Sequence, residues 1–317
     1  MEIQNVTKKY KTGTGRNKRS FAAVNGVNIS VERGQCVGLV GESGCGKTTL
    51  ARLILGIERL TDGSITFQGV PVGRVARSRE LRRKLQMVYQ DSYDAVNYRQ
   101  TITEIIGEPL VNFYRMNSRG ISKRVDELLA SVDLPVSVKM KYPRQLSMGQ
   151  LQRVCIARAL AASPELIVLD EPLSSLDVSV QAQILNKLSD LKKSLNISYL
   201  LISHDLEAVY YLSDAIYVMY GGRIMESIQS MDDFEALVHP YSRKLLASCP
   251  AYRNMGDDSE IEKASFQTEI VEGCPYAGRC SAAITECFHD VPEMLELTPG
   301  HMVACHKVIN QVKSGGN

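Results

Sequence analysis

No apolar stretch in this chain approaches the roughly 20 residues that a bilayer-spanning helix needs, so none of it reads as a membrane segment. Met1 to Asn5 lack the charged start and apolar block of a secretory leader, which sets the expectation of a cytoplasmic chain held at a membrane only through partners. Charge of one sign is scarce as well. With 37 Lys and Arg against 35 Asp and Glu, the formal charge of +2 is too small for a nucleic-acid footprint. The local exception is Lys8, Lys9, Lys11, Arg16, Lys18 and Arg19, a basic stretch that Thr12 to Gly15 interrupts and that reads as a solvated loop. What remains, 317 residues with 44% hydrophobic and 23% charged content, suffices for one large globular domain with a full core and an appendage.

The most informative feature present is Gly41, Glu42, Ser43, Gly44, Cys45, Gly46, Lys47 and Thr48, the pattern of a phosphate-binding loop. Glycines 41, 44 and 46 let backbone amides turn inward around phosphates, where side chains would block the approach. Lys47 is expected to reach the β and γ oxygens, and the Thr48 hydroxyl to ligate magnesium. Ser43, Cys45 and Thr49 belong to the same cradle. Cys36 to Val40 reads as a buried strand entering the loop, and Lys47 to Gly56 as the helix leaving it, with its positive end toward the phosphates.

Asp170 and Glu171 end the aliphatic run Leu166 to Leu169, which Pro164 and Pro172 bracket as a strand buried on both faces. Its carboxyl end delivers two acids to the edge where ligands of doubly wound sheets sit. Asp170 is expected to hold magnesium, and Glu171 to polarise the attacking water. Farther back, Ser147 and Gln150 have capping-box spacing before the helical run Leu151 to Leu160. By itself that pattern is either a helix start only or an anion site at a helix amino terminus.

In this order along the chain, the motifs resemble those of the nucleotide-binding subunit of an ATP-binding cassette (ABC) transporter. The resemblance implies an α/β P-loop NTPase fold: a RecA-like parallel sheet core with an antiparallel β part, plus an inserted α-helical subdomain at about 92–160. It implies that Tyr10 stacks on adenine, although Phe21 lies close enough to compete for that role. It makes Gln90 the link between the γ-phosphate site, its magnesium and the membrane subunits. Ser147 and Gly149, with Gln150, become a signature motif that caps ATP held by a second cassette. Ser174 to Asp177 match the D-loop, and His204 the switch histidine. Catalysis is then carried by Glu171, His204 and Gln90, and the metal by Thr48, Gln90 and Asp170. Read alone, Gln90 closes a strand, and a histidine such as His204 is more often structural. Strands ending at Val40, Gln90, Asp170 and Ser203 would nevertheless bring their polar ends to one edge. Tyr93 and Tyr98 would face membrane subunits by the same resemblance, or simply pack the subdomain. One departure stands out: Met148 replaces the usual middle glycine of the signature, and its flexible thioether there predicts a weak capping surface beside a competent P-loop site.

The remainder narrows the resemblance. His239 to Leu246, Glu272 to Cys280, and Pro299 to His306 resemble the carboxyl-terminal segment of oligopeptide, dipeptide and nickel importers; Gln90 to Tyr93 and Thr103 to Leu110 resemble the second ATPase of such systems. The cassette is therefore expected over 1–238 and the Cys-rich extension over 239–317, with Asn254 to Glu262 as an acidic linker. Four of the eight cysteines, Cys274, Cys280, Cys287 and Cys305, cluster there. Disulfides are not expected in a cytosolic protein, and the gaps of five, six and seventeen residues lack the tight pairs of most zinc sites. An iron–sulfur cluster, which members of this branch carry, is the favoured expectation; zinc and unligated thiols are the alternatives. His289, His301 and His306 are not favoured as ligands. The implied function is ATP-driven import of oligopeptides or dipeptides, with nickel or a metal chelate as an alternative cargo, or a regulatory subunit that binds ATP with little hydrolysis. The implied partners are two transmembrane permease subunits, a second and different ATPase chain, and an extracytoplasmic substrate-binding protein, with this chain peripheral on the cytoplasmic face. A soluble ABC ATPase of translation or DNA repair would need tandem cassettes or a long coiled coil, and neither is here.

Overall fold

The computed structural model describes residues 1–12, 19–73, 78–249 and 272–315. The expected linker from Asn254 to Glu262 lies outside these, as do Gly13 to Lys18 of the basic stretch. Lys8, Lys9 and Lys11 are not in a loop: they lie in β1 (Glu2–Thr12), which pairs antiparallel with β2 (Arg19–Ser30). Ile3, Val6, Val24, Val27 and Ile29 are buried along that pairing, whose register shifts at bulges, while Lys9 and Lys11 stay exposed and Lys8 pairs with Glu58 at 3.2 Å.

β3 (Cys36–Val40) enters the phosphate loop and α1 (Lys47–Ile54) leaves it, as the sequence predicts. β4 (Asp62–Phe67) and β5 (Val70–Pro71) complete a four-stranded antiparallel sheet in the order β2, β1, β4, β5. α2 (Arg79–Lys84) leads into β6 (Leu85–Val88), which Gln90 follows two residues later. Then come three helices that pack on one another, α3 (Ile102–Tyr114), α4 (Ser118–Ser131) and α5 (Met148–Ala161), forming the inserted helical part. α3 and α5 each start with a capping box, from Thr101 with Glu104 and from Ser147 with Gln150.

β7 (Leu166–Asp170), α6 (Val178–Leu195), β8 (Ser198–Ser203), α7 (Leu206–Leu212), β9 (Ala215–Tyr220) and β10 (Arg223–Ile228) complete the main sheet, except for two late strands. β6, β7, β8, β3 and β9 run parallel, and β10 turns back antiparallel. Successive residues of the central strands serve opposite cores. Cys36, Ile167, Leu169, Tyr199 and Leu201 face the helical side, while Val37, Leu39, Val168, Leu200 and Ile202 meet Leu50, Leu53 and Ile54 of α1 and the small sheet beyond. Burial on both faces explains why these strands are near-continuous aliphatic runs.

After α8 (Pro240–Ala247) and α9 (Glu286–His289), β11 (Leu295–Thr298) and β12 (His301–Val303) rejoin the large sheet beside β10, and α10 (His306–Gly315) follows. The carboxyl-terminal part therefore adds strands to the main sheet. Among the described residues, no helix is long and apolar enough to cross a membrane.

Candidate active site

Four parallel strands deliver the site. Gly41 follows β3, Gln90 follows β6 by two residues, Asp170 ends β7, and His204 follows β8. Gly41 and Gly46 have to be glycine for steric reasons. A Cβ at Gly41 would collide with the Met219 carbonyl oxygen, and one at Gly46, where φ is 111°, with that of Ala23. Ser43, Gly44 and Thr48 are exposed along the loop, Thr49 is half-buried, and Cys45 is buried beneath it. Burial raises the Cys45 thiol pKa, which the Lys47 ammonium opposes.

Lys47 is only 5% exposed and folds its ammonium back into its own loop, donating to the carbonyls of Gly41 at 2.6 Å and Glu42 at 2.9 Å. The Thr48 hydroxyl donates to Asp170 Oδ1 at 3.4 Å. Asp170 is buried, and that burial raises its carboxyl pKa against the Thr48 hydrogen bond. A buried carboxylate beside a hydroxyl is a hard-oxygen donor set with charge to neutralise, so these two residues fit magnesium.

Glu171 takes a left-handed backbone with φ 46°, an uncommon choice for a non-glycine residue. Its amide is pinned to Ile202 O at 2.8 Å, and its carboxylate lies between two expected partners. Gln90 Nε2 donates to Oε2 at 3.1 Å, and His204 Nδ1 stands 3.2 Å from the same oxygen. Lys47, Thr48, Asp170, Glu171, Gln90 and His204 are thus gathered at one sheet edge.

Ser147, Gly149 and Gln150 form a separate group. Ser147 Oγ accepts from Gln150 N at 3.3 Å, and Gln150 Oε1 from Ser147 N at 3.2 Å, so the capping box is made. Among the described residues, no hydrogen bond joins Ser147 or Gln150 to the group around Lys47. Tyr10 and Phe21, set against each other as candidates for ring stacking, are cross-strand partners stacked at 5.6 Å between centroids. The Tyr10 hydroxyl donates to the Glu58 carboxylate. Tyr93 is half-buried against the core, whereas Tyr98 is exposed with Arg144 5.0 Å over its ring.

The thiols of Cys274, Cys280, Cys287 and Cys305 lie within one another's electrostatic reach. Burial pushes the Cys274 pKa up to about 11 and raises those of Cys280 and Cys305. The donor chemistry suits a soft metal. The placement is another matter: among the described residues, no group of three or more His, Cys, Asp or Glu side chains is arranged to hold a metal ion. His301 bonds Glu226 at 2.8 Å and His306 bonds the Asp290 carbonyl at 2.9 Å, so both are engaged elsewhere.

Sequence reading passed over two residues that touch the phosphate loop, Tyr241 and Arg279, both bonded to Glu42. They lie 199 and 237 residues along the chain from it, and although both fall in carboxyl-terminal segments that carry the family resemblance, nothing local marks them as partners of the loop.

A family model described as ABC transporter matches residues 24–174, and one described as oligopeptide/dipeptide transporter, C-terminal region matches 225–287. The oligopeptide transport ATP-binding protein AppF of Bacillus subtilis is 39% identical over 320 residues, 96% of either chain. A putative peptide import ATP-binding protein of Brucella ovis, BOV_A0347, is 38% identical over 319 residues, again 96% of either chain. Among solved structures, the cassette MJ0796, in a dimeric post-hydrolysis state bound to ADP and Pi, matches with a TM-score of 0.64 and 28% identity over 71% of this chain and 97% of that one. The protein cbiO1 of Clostridium perfringens, part of the ABC transporter complex cbiONQ, matches with a TM-score of 0.63 and 26% identity over 80% and 93%.

Proposed function

We propose, since this chain belongs to the ABC transporter family and carries the carboxyl-terminal region of its oligopeptide/dipeptide transporters, that it binds and hydrolyses ATP to power peptide import through a membrane permease. The observation that carries the reading is the gathering of Lys47, Thr48, Gln90, Asp170, Glu171 and His204 at the carboxyl edge of one parallel sheet.

In the proposed reaction, loop amides from Gly44 to Thr48 cradle the phosphates, and Lys47 exchanges its backbone carbonyl partners for phosphate oxygens. Glu171 accepts a proton from water as the water oxygen attacks the γ-phosphorus and the bond to the ADP oxygen breaks. Gln90 and His204 orient that carboxylate and the water from either side. Magnesium, when bound, would be held by Thr48 and Asp170 with Gln90 nearby, and it supplies neutralisation of the developing phosphate charge. Ser147, Gly149 and Gln150 act in trans, their helix end capping nucleotide on a second cassette; that their capping-box bonds are internal, with none to the group around Lys47 among the described residues, supports that reading, as does the dimeric state of MJ0796.

The proposal extends to two permease subunits, a second, non-identical ATPase chain, a substrate-binding protein, and a peripheral position on the cytoplasmic face. The cassette is taken as 1–238, and Tyr10 as the adenine platform. The decisive variant is Glu171→Gln in the assembled transporter, which should abolish peptide uptake and trap ATP. Unaltered uptake would leave only a regulatory, nucleotide-binding role. For Cys274, Cys280, Cys287 and Cys305 we propose an iron–sulfur cluster on donor chemistry alone, which requires the thiols to move from the placement described above, to be decided by iron and sulfide analysis after anaerobic purification; colourless, iron-free protein with intact nucleotide binding removes it.

A further inference from the structure

Glu42, the second residue of the phosphate loop, is held through all three of its polar groups. Its amide donates to the Tyr241 hydroxyl at 2.7 Å, its carbonyl accepts from Lys47 Nζ at 2.9 Å, and its carboxylate takes both arms of the Arg279 guanidinium. The two guanidinium contacts are 2.6 Å, Nη1 to Oε2, and 2.9 Å, Nη2 to Oε1. This is the planar fork geometry that a lysine cannot reproduce. Tyr241 and Arg279 both belong to the carboxyl-terminal part, so that part grips the same residue on which the phosphate-binding lysine rests.

The grip has a stiff backing. Arg279 also donates to the Tyr220 hydroxyl at 3.0 Å and lies over the rings of Tyr220 and Tyr276. Tyr220, Tyr241 and Tyr276 pack mutually, with centroids 4.7 to 5.2 Å apart. Arg279 ends a tight turn between two of the clustered cysteines: Ala277 N donates to Cys274 O at 3.0 Å, and Cys280 N to Ala277 O at 3.2 Å. The turn is tied in turn to Cys287, whose carbonyl accepts from Cys274 N at 2.8 Å.

A carboxylate in a phosphate loop is a liability. Unpaired, it repels the triphosphate and offers the Lys47 ammonium a competing anion on its own loop. We propose that Arg279 is a positioning residue of the nucleotide site: it cancels the charge of Glu42 and, with Tyr241, holds the loop where Lys47 can meet phosphate, so that the carboxyl-terminal part sets ATP affinity. This rests on the reading of Gly41 to Thr48 as the ATP loop.

The test is a charge-specific cycle on the full chain, measuring ATP affinity by displacement of a fluorescent nucleotide, then KM and kcat in the assembled transporter. Arg279→Ala is expected to weaken ATP about tenfold, and Glu42→Gln alone by no more than about twofold. The double variant should return to within about twofold of Glu42→Gln, because the repelling charge is gone. Arg279→Lys, which keeps charge and stem, should lose about threefold, and it serves if Arg279→Ala does not fold. The loss should appear in KM for ATP with kcat retained. A double variant as weak as Arg279→Ala would make the residue a packing element and overturn the proposal, as would an Arg279→Ala variant that binds like wild type. A wild-type chain that binds no ATP would overturn the nucleotide reading and this one with it.

Discussion

The hydroxyl of Ser92 donates to the side-chain oxygen of Gln152, and both residues are buried. Ser92 lies two residues beyond Gln90, and Gln152 sits on α5 just past the capping box of Ser147 and Gln150. The segment bearing Gln90 is therefore bonded to α5, the helix that Ser147 caps. Arg158 of the same helix reinforces the link by donating to the Ala95 carbonyl at 2.6 Å.

Breaking that bond should be costly on one side and repairable. The Gln152 amide nitrogen has no hydrogen-bond partner among the described residues, so Ser92→Ala leaves the whole buried amide unpaired. We expect Ser92→Ala to lower stability by about 2 kcal/mol, and Ser92→Ala with Gln152→Leu to recover at least half of it. Urea unfolding of the three proteins measures this; an equal loss in the double variant would show that the contact carries no such energy.

Gly149 is constrained by its neighbour, not by its backbone. A Cβ there would stand 2.5 Å from Cγ1 of Val180 on α6. Gly149→Ala should cost about 1–3 kcal/mol through overpacking, and adding Val180→Ala should relieve most of it. Thermal unfolding is the readout, and a Gly149→Ala protein as stable as wild type would refute the packing argument.

Acid should weaken the fold through His239. Its Nδ1 accepts from Tyr241 N at 3.0 Å, and burial lowers its pKa from the ordinary 6.5 to about 4, against the attraction of Glu226. The unfolded chain takes up the proton first, so the stability due to neutral His239 is whole above pH 6.5 and drains away as pH falls toward 4. Between pH 7 and pH 5 this amounts to about 2 kcal/mol. His239→Asn, which can still cap α8, should show a shallower pH dependence; identical slopes in denaturant titrations would contradict the assignment.

Met148 occupies the first turn of α5, half-buried, where the family pattern has glycine. Met148→Gly in the assembled transporter should maintain or raise ATPase activity, since it removes a flexible side chain from the proposed capping surface. A fall in turnover at saturating ATP would sink the idea of a handicapped signature.

Sequence alone determined the parts whose chemistry requires neighbours along the chain. A phosphate loop is contiguous because one turn must supply amides, lysine and hydroxyl together, and Gly41 to Thr48 was legible for that reason, as were the capping box at Ser147 and the aliphatic strands around it. The strand ends at Gln90, Asp170 and His204 were legible by their position after such runs, and their meeting at Glu171 followed from parallel order in the sheet. Tertiary structure decided the rest. The basic stretch held a strand, Tyr10 and Phe21 became partners, and the carboxyl-terminal residues returned to the sheet and laid Arg279 on Glu42. Contacts between residues so far apart leave no local periodicity to read, because they depend on which faces the packed core leaves available, and that is settled only when the chain has folded.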